Sequence, residues 1–327
     1  MGRRALRLGI AGLVAVAVVR GSSCGWRMER GQEQPQPPTD AALPERLAAH
    51  VRALSHEIGN RDMFDWPRLE RAAAYVTAQL THADYAVQRQ EYDLGDRRPA
   101  NLIATLAGDG ARQELIVVGA HYDSCGNPGA DDNASGVAGL LELARVLRAE
   151  RLPRTVELVA FVNEEPPFFQ TSQMGSWHYV QQAVSRKRPI QAALILEMIG
   201  YYSIQPRSQR YPPLFGLFYP NRGEYLGIVS SLRHLPLARR IAHSFRRGSP
   251  LPAHWVAAPS FVSGVDWSDQ WAFWRAGYPA VMLTDTAFLR NPHYHAPTDT
   301  WDTLDYPRMA QVVEGLHTAI VELAAQP

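Results

Sequence analysis

Three short apolar runs, each ending in a polar or charged group, constrain this chain most. They are "ELIVVGAHYD" at 114–123, "TVELVAFVNEE" at 155–165 and "AALILEMIGY" at 192–201. Each is strand length and carries too little alternation for a strand with one wet face. Between them lie "SGVAGLLELARVLRAE" and "GSWHYVQQAVSRK", whose apolar residues recur at helical spacing. Strand, amphipathic helix, strand repeated in this way gives an α/β fold: a mixed, mainly parallel central sheet with helices on both faces. Parallel strands joined by helices end at the same edge of the sheet. The groups that close the runs therefore converge there, although they are far apart in sequence.

The flanking segments extend the pattern. "AALPERLAAHVRALSHEI" and "WPRLERAAAYVTAQLTHA" read as helices before the first strands, "YAVQRQEYDL" and "NLIATLAG". Later, "SLRHLPLARRIAHSF" and "SDQWAFWRAG" read as helices around the strand "AVMLTD", and "YPRMAQVVEGLHTAIVELAAQ" as a closing helix. Residues 203–264 interrupt this order with prolines and aromatics and read as a rim or lid insertion, so that 41–327 make one domain. The aromatics of "YPPLFGLFYP" are candidates for lining a side-chain pocket.

Residues 1–24 read as a signal peptide or N-terminal anchor. Arg3, Arg4 and Arg7 precede the apolar run Leu8 to Val19, which is short for a membrane span but suits an export signal. Cys24 follows small residues, as in a lipoprotein signal, although Gly21 stands where Leu is usual. Residues 25–40, polar and rich in proline, read as a disordered linker. An exported, periplasmic or extracellular protein follows, touching a membrane only through its N-terminal segment. The formal net charge of +1 gives no field for nucleic acid. Eight arginines against one acid, Glu224, in 201–260 read as a solvated helix face, with attraction of an anionic substrate as the alternative. Two cysteines, Cys24 and Cys125, imply no disulfide framework, and Cys125 reads as a loop bystander.

The chemistry lies in what closes the strands. "HYDSCGNPGADDNASG" gives His121, Asp123, Asp131 and Asp132; "FVNEEPPFF" gives Glu164 and Glu165; "LILEMIGY" gives Glu197. "RNPHYHAPTDT" adds His293 and His295, and "SGVDWSDQW" adds Asp266 and Asp269. Carboxylates bunched in this way repel one another unless a cation sits between them. Glu197 among Leu, Ile and Met would cost several kcal/mol if left unpaired. Histidine with carboxylates and no cysteine suits zinc in a hydrolytic site. Adjacent Glu164 and Glu165 cannot both face one ion from a regular strand, so one is free for proton transfer.

In this order the motifs resemble the M28 family of zinc metallopeptidases, which includes bacterial co-catalytic zinc aminopeptidases. The resemblance runs from about residue 100 to 306 and implies a zinc-exopeptidase-like α/β fold of the phosphorylase/hydrolase type. It further implies that His121 and Glu197 hold one zinc, that Glu165 and His295 hold a second, that Asp132 bridges both and that Glu164 is the general base. Asp123 would orient the His121 imidazole from behind. Apart from the resemblance, Asp269 in "SDQW" reads as lining the site, with helix N-capping as the alternative. The family commonly has Asp where Glu197 stands, and often a cis peptide at the position of Asp132–Asn133. The implied activity is removal of N-terminal residues from peptide substrates. Two alternatives stay open. Glutaminyl-peptide cyclotransferases share the fold and use a single zinc, and some relatives keep the fold as non-catalytic ectodomains. The terminal residue preferred, amino- against carboxypeptidase action, one or two metals and the oligomeric state are not legible.

Overall fold

The computed structural model describes residues 40–213 and 215–326. The leader expected over 1–24 lies outside the described residues, as does all but the last residue of the linker. Eight strands form one sheet: β1 (Val87–Glu91), β2 (Ala100–Leu106), β3 (Leu115–His121), β4 (Thr155–Phe161), β5 (Ile190–Leu196), β6 (Leu226–Ser230), β7 (Ala253–Ala257) and β8 (Ala280–Thr284). Their order across the sheet is β1-β2-β4-β3-β5-β8-β6-β7. β4, β3, β5 and β8 are mutually parallel, and β6 and β7 run parallel to each other but opposite to β8. β1 and β2 close the other edge as antiparallel strands. The expected mixed, mainly parallel sheet is found.

The central strands read as unbroken apolar runs because both faces are covered. Ile116, Val118 and Ala120 of β3 face one core, shared with α1 (Leu43–Arg52), α2 (Trp66–His82), α3 (Gly136–Leu147), α5 (Leu235–Gly248) and α7 (Tyr306–Ala325). Leu115 and Val117 face the other, shared with α4 (Gly175–Ser185) and α6 (Gln270–Arg275). Successive side chains point to opposite faces, so one strand serves two cores. Gly119 is needed where it stands: a Cβ there would lie 2.3 Å from the ring of Phe161 on β4. Phe161 is fully buried, and truncating such a ring to Ala costs about 3–5 kcal/mol.

The interruption expected over 203–264 needs correction. It contains β6, α5 and β7, which extend the sheet; only the flanking loops form a rim. Strands of five residues such as "LGIVS" and "AHWVA", bounded by loops and prolines, carry too little periodicity to stand out. Half of the eight arginines of this segment lie on α5. Arg239, Arg240, Arg246 and Arg247 are exposed, and Arg247 pairs with Glu322 of α7. This is a solvated helix face, not an electrostatic funnel.

Candidate metal centre

The site sits beyond the carboxyl ends of β3, β4 and β5. His121 is the last residue of β3 and is wholly buried. Glu197 is the first residue past β5, its N–H still paired to Leu283 O at 3.0 Å. Glu164 and Glu165 follow β4 in a turn, not in a regular strand. Asp123 accepts both of their backbone N–H groups, from Glu164 at 3.2 Å and Glu165 at 3.1 Å. Its Oδ1 also lies 3.4 Å from His121 Nδ1. Asp123 therefore stands behind the histidine as expected, but from the loop after β3, where it organises two strand ends together.

Asp132 needs more support, because it sits in a loop before α3. The Asp132–Asn133 peptide is cis. Both carboxylate oxygens of Asp299 accept backbone N–H groups, from Asp131 at 2.9 Å and Asp132 at 3.1 Å. Asn133 donates to Leu196 O at 2.8 Å and accepts from Met198 N and Gly136 N at 3.0 Å. That one amide ties the Asp132 loop and the start of α3 to the end of β5, beside Glu197. Below the loop lies Arg61, a fully buried guanidinium. It donates to the carbonyls of Leu54 (3.1 Å), Gly59 (3.0 Å), Tyr122 (3.0 Å), Pro128 (2.6 Å) and Gly129 (2.8 Å). Burial lowers its pKa to about 10, against the pull of Asp299, Asp123, Asp132 and Glu165. Gly129 adopts φ +57°, and a Cβ there would meet Asp132 O at 2.3 Å, so no other residue fits this corner.

The donors face one another closely. Asp132 presents Oδ1 to His121 Nε2 at 3.3 Å and Oδ2 to His295 Nε2 at 3.1 Å. Glu197 Oε2 is 3.3 Å from His121 Nε2, and Glu165 Oε2 is 3.3 Å from His295 Nε2. Glu164 stands slightly back, with Oε2 3.9 Å from His121 Nε2. Among the described residues neither ring nitrogen of His121 has a hydrogen-bond partner, although it is buried among acids, and Glu165 Oε1 has none either. Around a tetrahedral ion with bonds of about 2.0–2.2 Å, neighbouring donors sit roughly 3.3–3.6 Å apart. These separations and the nitrogen-and-carboxylate donor set fit a divalent metal centre.

The electrostatics agree. Burial, then the charges of Glu197, Glu165 and Asp269, hold Glu164 well above the ordinary carboxyl range, and burial and Asp132 push Glu165 up to about 7. Burial alone would depress His121, but Glu197, Asp123 and Asp132 drive its pKa well above normal. These acids lack compensating positive charge, which is the deficit a cation removes. Asp269 is part of it. It is wholly buried, neither of its oxygens has a hydrogen-bond partner, and burial pushes its pKa up to about 7.

The structure gathers His121, Asp132, Glu164, Glu165, Glu197 and His295, with Asp123 and Asp269 beside them. His293 does not join them: its Nδ1 bonds Thr298 Oγ1 at 2.9 Å. Asp266 is only half-buried, and its carbonyl accepts from Gln170 at 2.9 Å. Three supporting groups escaped the sequence reading. Ser268 donates to Glu197 Oε2 at 2.6 Å, and its place before Asp269 was the only hint. Arg61 gave no signal, because a lone arginine in a polar loop is ordinary. Cys125, read as a bystander, lies with its sulfur, a Glu165 oxygen and a His295 nitrogen all within 4.8 Å of one another.

Next to the centre opens an apolar cavity of about 870 Å³, counting its mouth. It begins at Glu197 and Tyr294 and runs across β6, β7 and β8 beneath Tyr211, Phe215 and Tyr219, with Val229, Tyr225, His254 and Met282 among its walls. The aromatic segment singled out in the sequence does line a pocket. Burial, with Arg246 and Arg290 nearby, lowers His254 to about 4, so the pocket is uncharged there at neutral pH.

Comparison with known proteins agrees with this geometry. The pattern of Peptidase family M28 matches residues 101–320. Protein YfbL of Escherichia coli (strain K12) is 40% identical over 291 residues, 85% of this chain and 88% of that protein. A probable leucine aminopeptidase of Arthroderma otae is 28% identical over 243 residues, covering 67% of this chain and 56% of that protein. Among solved structures, BSAP, a zinc aminopeptidase from Bacillus subtilis, shares the fold with a TM-score of 0.68 at 15% identity, over 86% of this chain and 95% of that one. Fimbriiglobus ruber glutaminyl cyclase does so with a TM-score of 0.64 at 20% identity, over 88% and 98%. With the family pattern spanning most of the domain and the donors gathered at one edge of the sheet, the chain belongs to peptidase family M28 and is a metallopeptidase.

Proposed function

We propose that this metallopeptidase is an exported, zinc-dependent aminopeptidase that cleaves the N-terminal bond of peptides whose first residue is large and apolar. His121 and Glu197 would hold one zinc, Glu165 and His295 a second, and Asp132 would bridge them. The observation that carries two ions over one is the bridging geometry of Asp132, with one oxygen toward each histidine at 3.3 and 3.1 Å. When bound, zinc supplies Lewis acidity, polarising the scissile carbonyl and acidifying the attacking water.

The chain's own residues do the rest. Glu164, set back from the donors, accepts a proton from that water on its carboxylate and returns it to the leaving nitrogen. Asp123 fixes the orientation of His121 and the backbone carrying Glu164 and Glu165. Ser268 fixes Glu197. The apolar cavity that starts at Glu197 takes the first side chain and excludes water from it. The fungal relative's leucine aminopeptidase name and the bacterial neighbour's zinc aminopeptidase title support this reading.

Digestion of a mixed peptide library with and without chelator, read by mass spectrometry, tests it. The expected result is release of single N-terminal residues, with Leu, Phe and similar residues first, abolished by chelator. Conversion of N-terminal glutamine to a cyclic product, with one metal per chain, would favour the cyclase reading instead. Internal cleavage would exclude both.

A further inference from the structure

The second zinc position of the proposed function has one more donor within reach than that reading uses. Cys125 lies in the loop between β3 and Asp132, partly open to solvent. Its sulfur, a Glu165 carboxylate oxygen and a His295 nitrogen all lie within 4.8 Å of one another. Glu165 supplies a second observation: it is 4% exposed, and its Oε1 is buried with no hydrogen-bond partner among the described residues. A buried carboxylate left with an unsatisfied oxygen, in a cluster with a thiol and an imidazole, calls for a shared cation, since a buried charged acceptor without a partner is costly.

We infer that Cys125 is a further metal ligand, a thiolate that joins Glu165 and His295 and makes this half of the centre selective for soft divalent ions. The inference rests on the metallopeptidase reading of the site. On binding, the S–H bond breaks heterolytically: sulfur keeps the electron pair and donates it to the ion, and the proton leaves to solvent. With Asp132, the protein donors then number four, and zinc, which can expand to five-coordinate, would keep a place for the attacking water. Because sulfur binds zinc and cadmium better than it binds magnesium or manganese, the position discriminates by softness as well as by size. The half built on His121 and Glu197 has nitrogen and oxygen donors only.

The test uses the full chain, stripped of metal and titrated with cadmium. The readout is the ultraviolet charge-transfer absorption of a cadmium–thiolate bond. Wild type and Cys24→Ser should develop the band, and Cys125→Ser should not. Cys125→Ser should also lose at least tenfold in cadmium affinity at one position while keeping the other. A second measurement needs no variant: metal loading should slow alkylation of Cys125 by iodoacetamide at least tenfold, followed by mass spectrometry of the peptide that contains it. Metal bound with no band, or a band that survives Cys125→Ser, or alkylation indifferent to metal, each overturns the thiolate while leaving the metallopeptidase reading intact. Failure of every variant to bind any divalent ion overturns both.

Discussion

The two halves of the centre are built differently. His121 and Glu197 stand at the ends of β3 and β5, in the middle of the sheet, and His121 is wholly buried. His295 and Cys125 stand in loops, and the His295 side chain is 30% exposed. The first half is held by strand pairing that exists whether or not an ion is present. The second is held by turns, including a left-handed His295 at φ +54°. Asp132, which is buried, lies between the halves with one oxygen toward each histidine. On the proposed two-ion reading, a rigid inner position and a more accessible outer one would share a single bridging carboxylate, and the inner ion should exchange slowly and the outer one quickly.

The largest expected effect probes the residue that belongs to neither half. Glu164→Gln should lower kcat by about 10²–10⁴-fold, the usual worth of a general base, with both metals retained by elemental analysis. Metal lost together with activity would make Glu164 a ligand and break the division drawn here.

Next, the two histidines should separate on stability. His121→Ala opens a hole in a buried, charged cluster and should cost the metal-free protein about 2–4 kcal/mol in denaturant unfolding. His295→Ala should cost under about 1 kcal/mol, because the side chain is partly solvated. Both should abolish turnover. Equal destabilisation would remove the contrast.

A smaller effect concerns the pocket that opens from the inner half. Val229→Phe fills part of the apolar cavity. Discrimination in such pockets runs to about 10–200-fold per methylene-sized change, so kcat/KM for N-terminal Leu or Phe should fall by that order relative to N-terminal Ala. An unchanged ratio would mean that the first side chain binds elsewhere.

The smallest effect is a control far from both halves. Burial alone would raise the pKa of Glu142 on α3, but His50, Arg145 and Arg46 lower it from 4.5 to about 2. Its folded pKa is depressed, so its stabilisation is fully present above pH 4.5 and is lost as the pH falls toward 2. Glu142→Gln should remove roughly 1 kcal/mol of stability at neutral pH, given partly solvated partners, and little near pH 2. Turnover should not change.

Most of the inner half was legible in the sequence. His121 and Glu197 close apolar runs, and the carboxyl ends of parallel strands must meet. Glu164 and Glu165 were legible for the same reason, although the turn that separates their directions was not. The outer half was less so. His295 was read through its motif, while nothing in "HYDSCGN" distinguished Cys125 from an ordinary loop thiol. β6 and β7 were lost in the loop-rich segment around them, and with them the floor of the pocket, although the aromatics of its roof stood out.

The sequence by itself determined the central parallel strands, the edge at which the site forms and the residue types able to hold a metal, because strand periodicity and the cost of bunched carboxylates are local properties. Only the tertiary structure decided which oxygen of Asp132 meets which histidine, that Arg61 clamps the segment leading to it through the carbonyls of Tyr122, Pro128 and Gly129, and that a cysteine comes to rest near His295. Those outcomes depend on how loops of unlike length pack over strand ends, and no spacing along the chain encodes that distance.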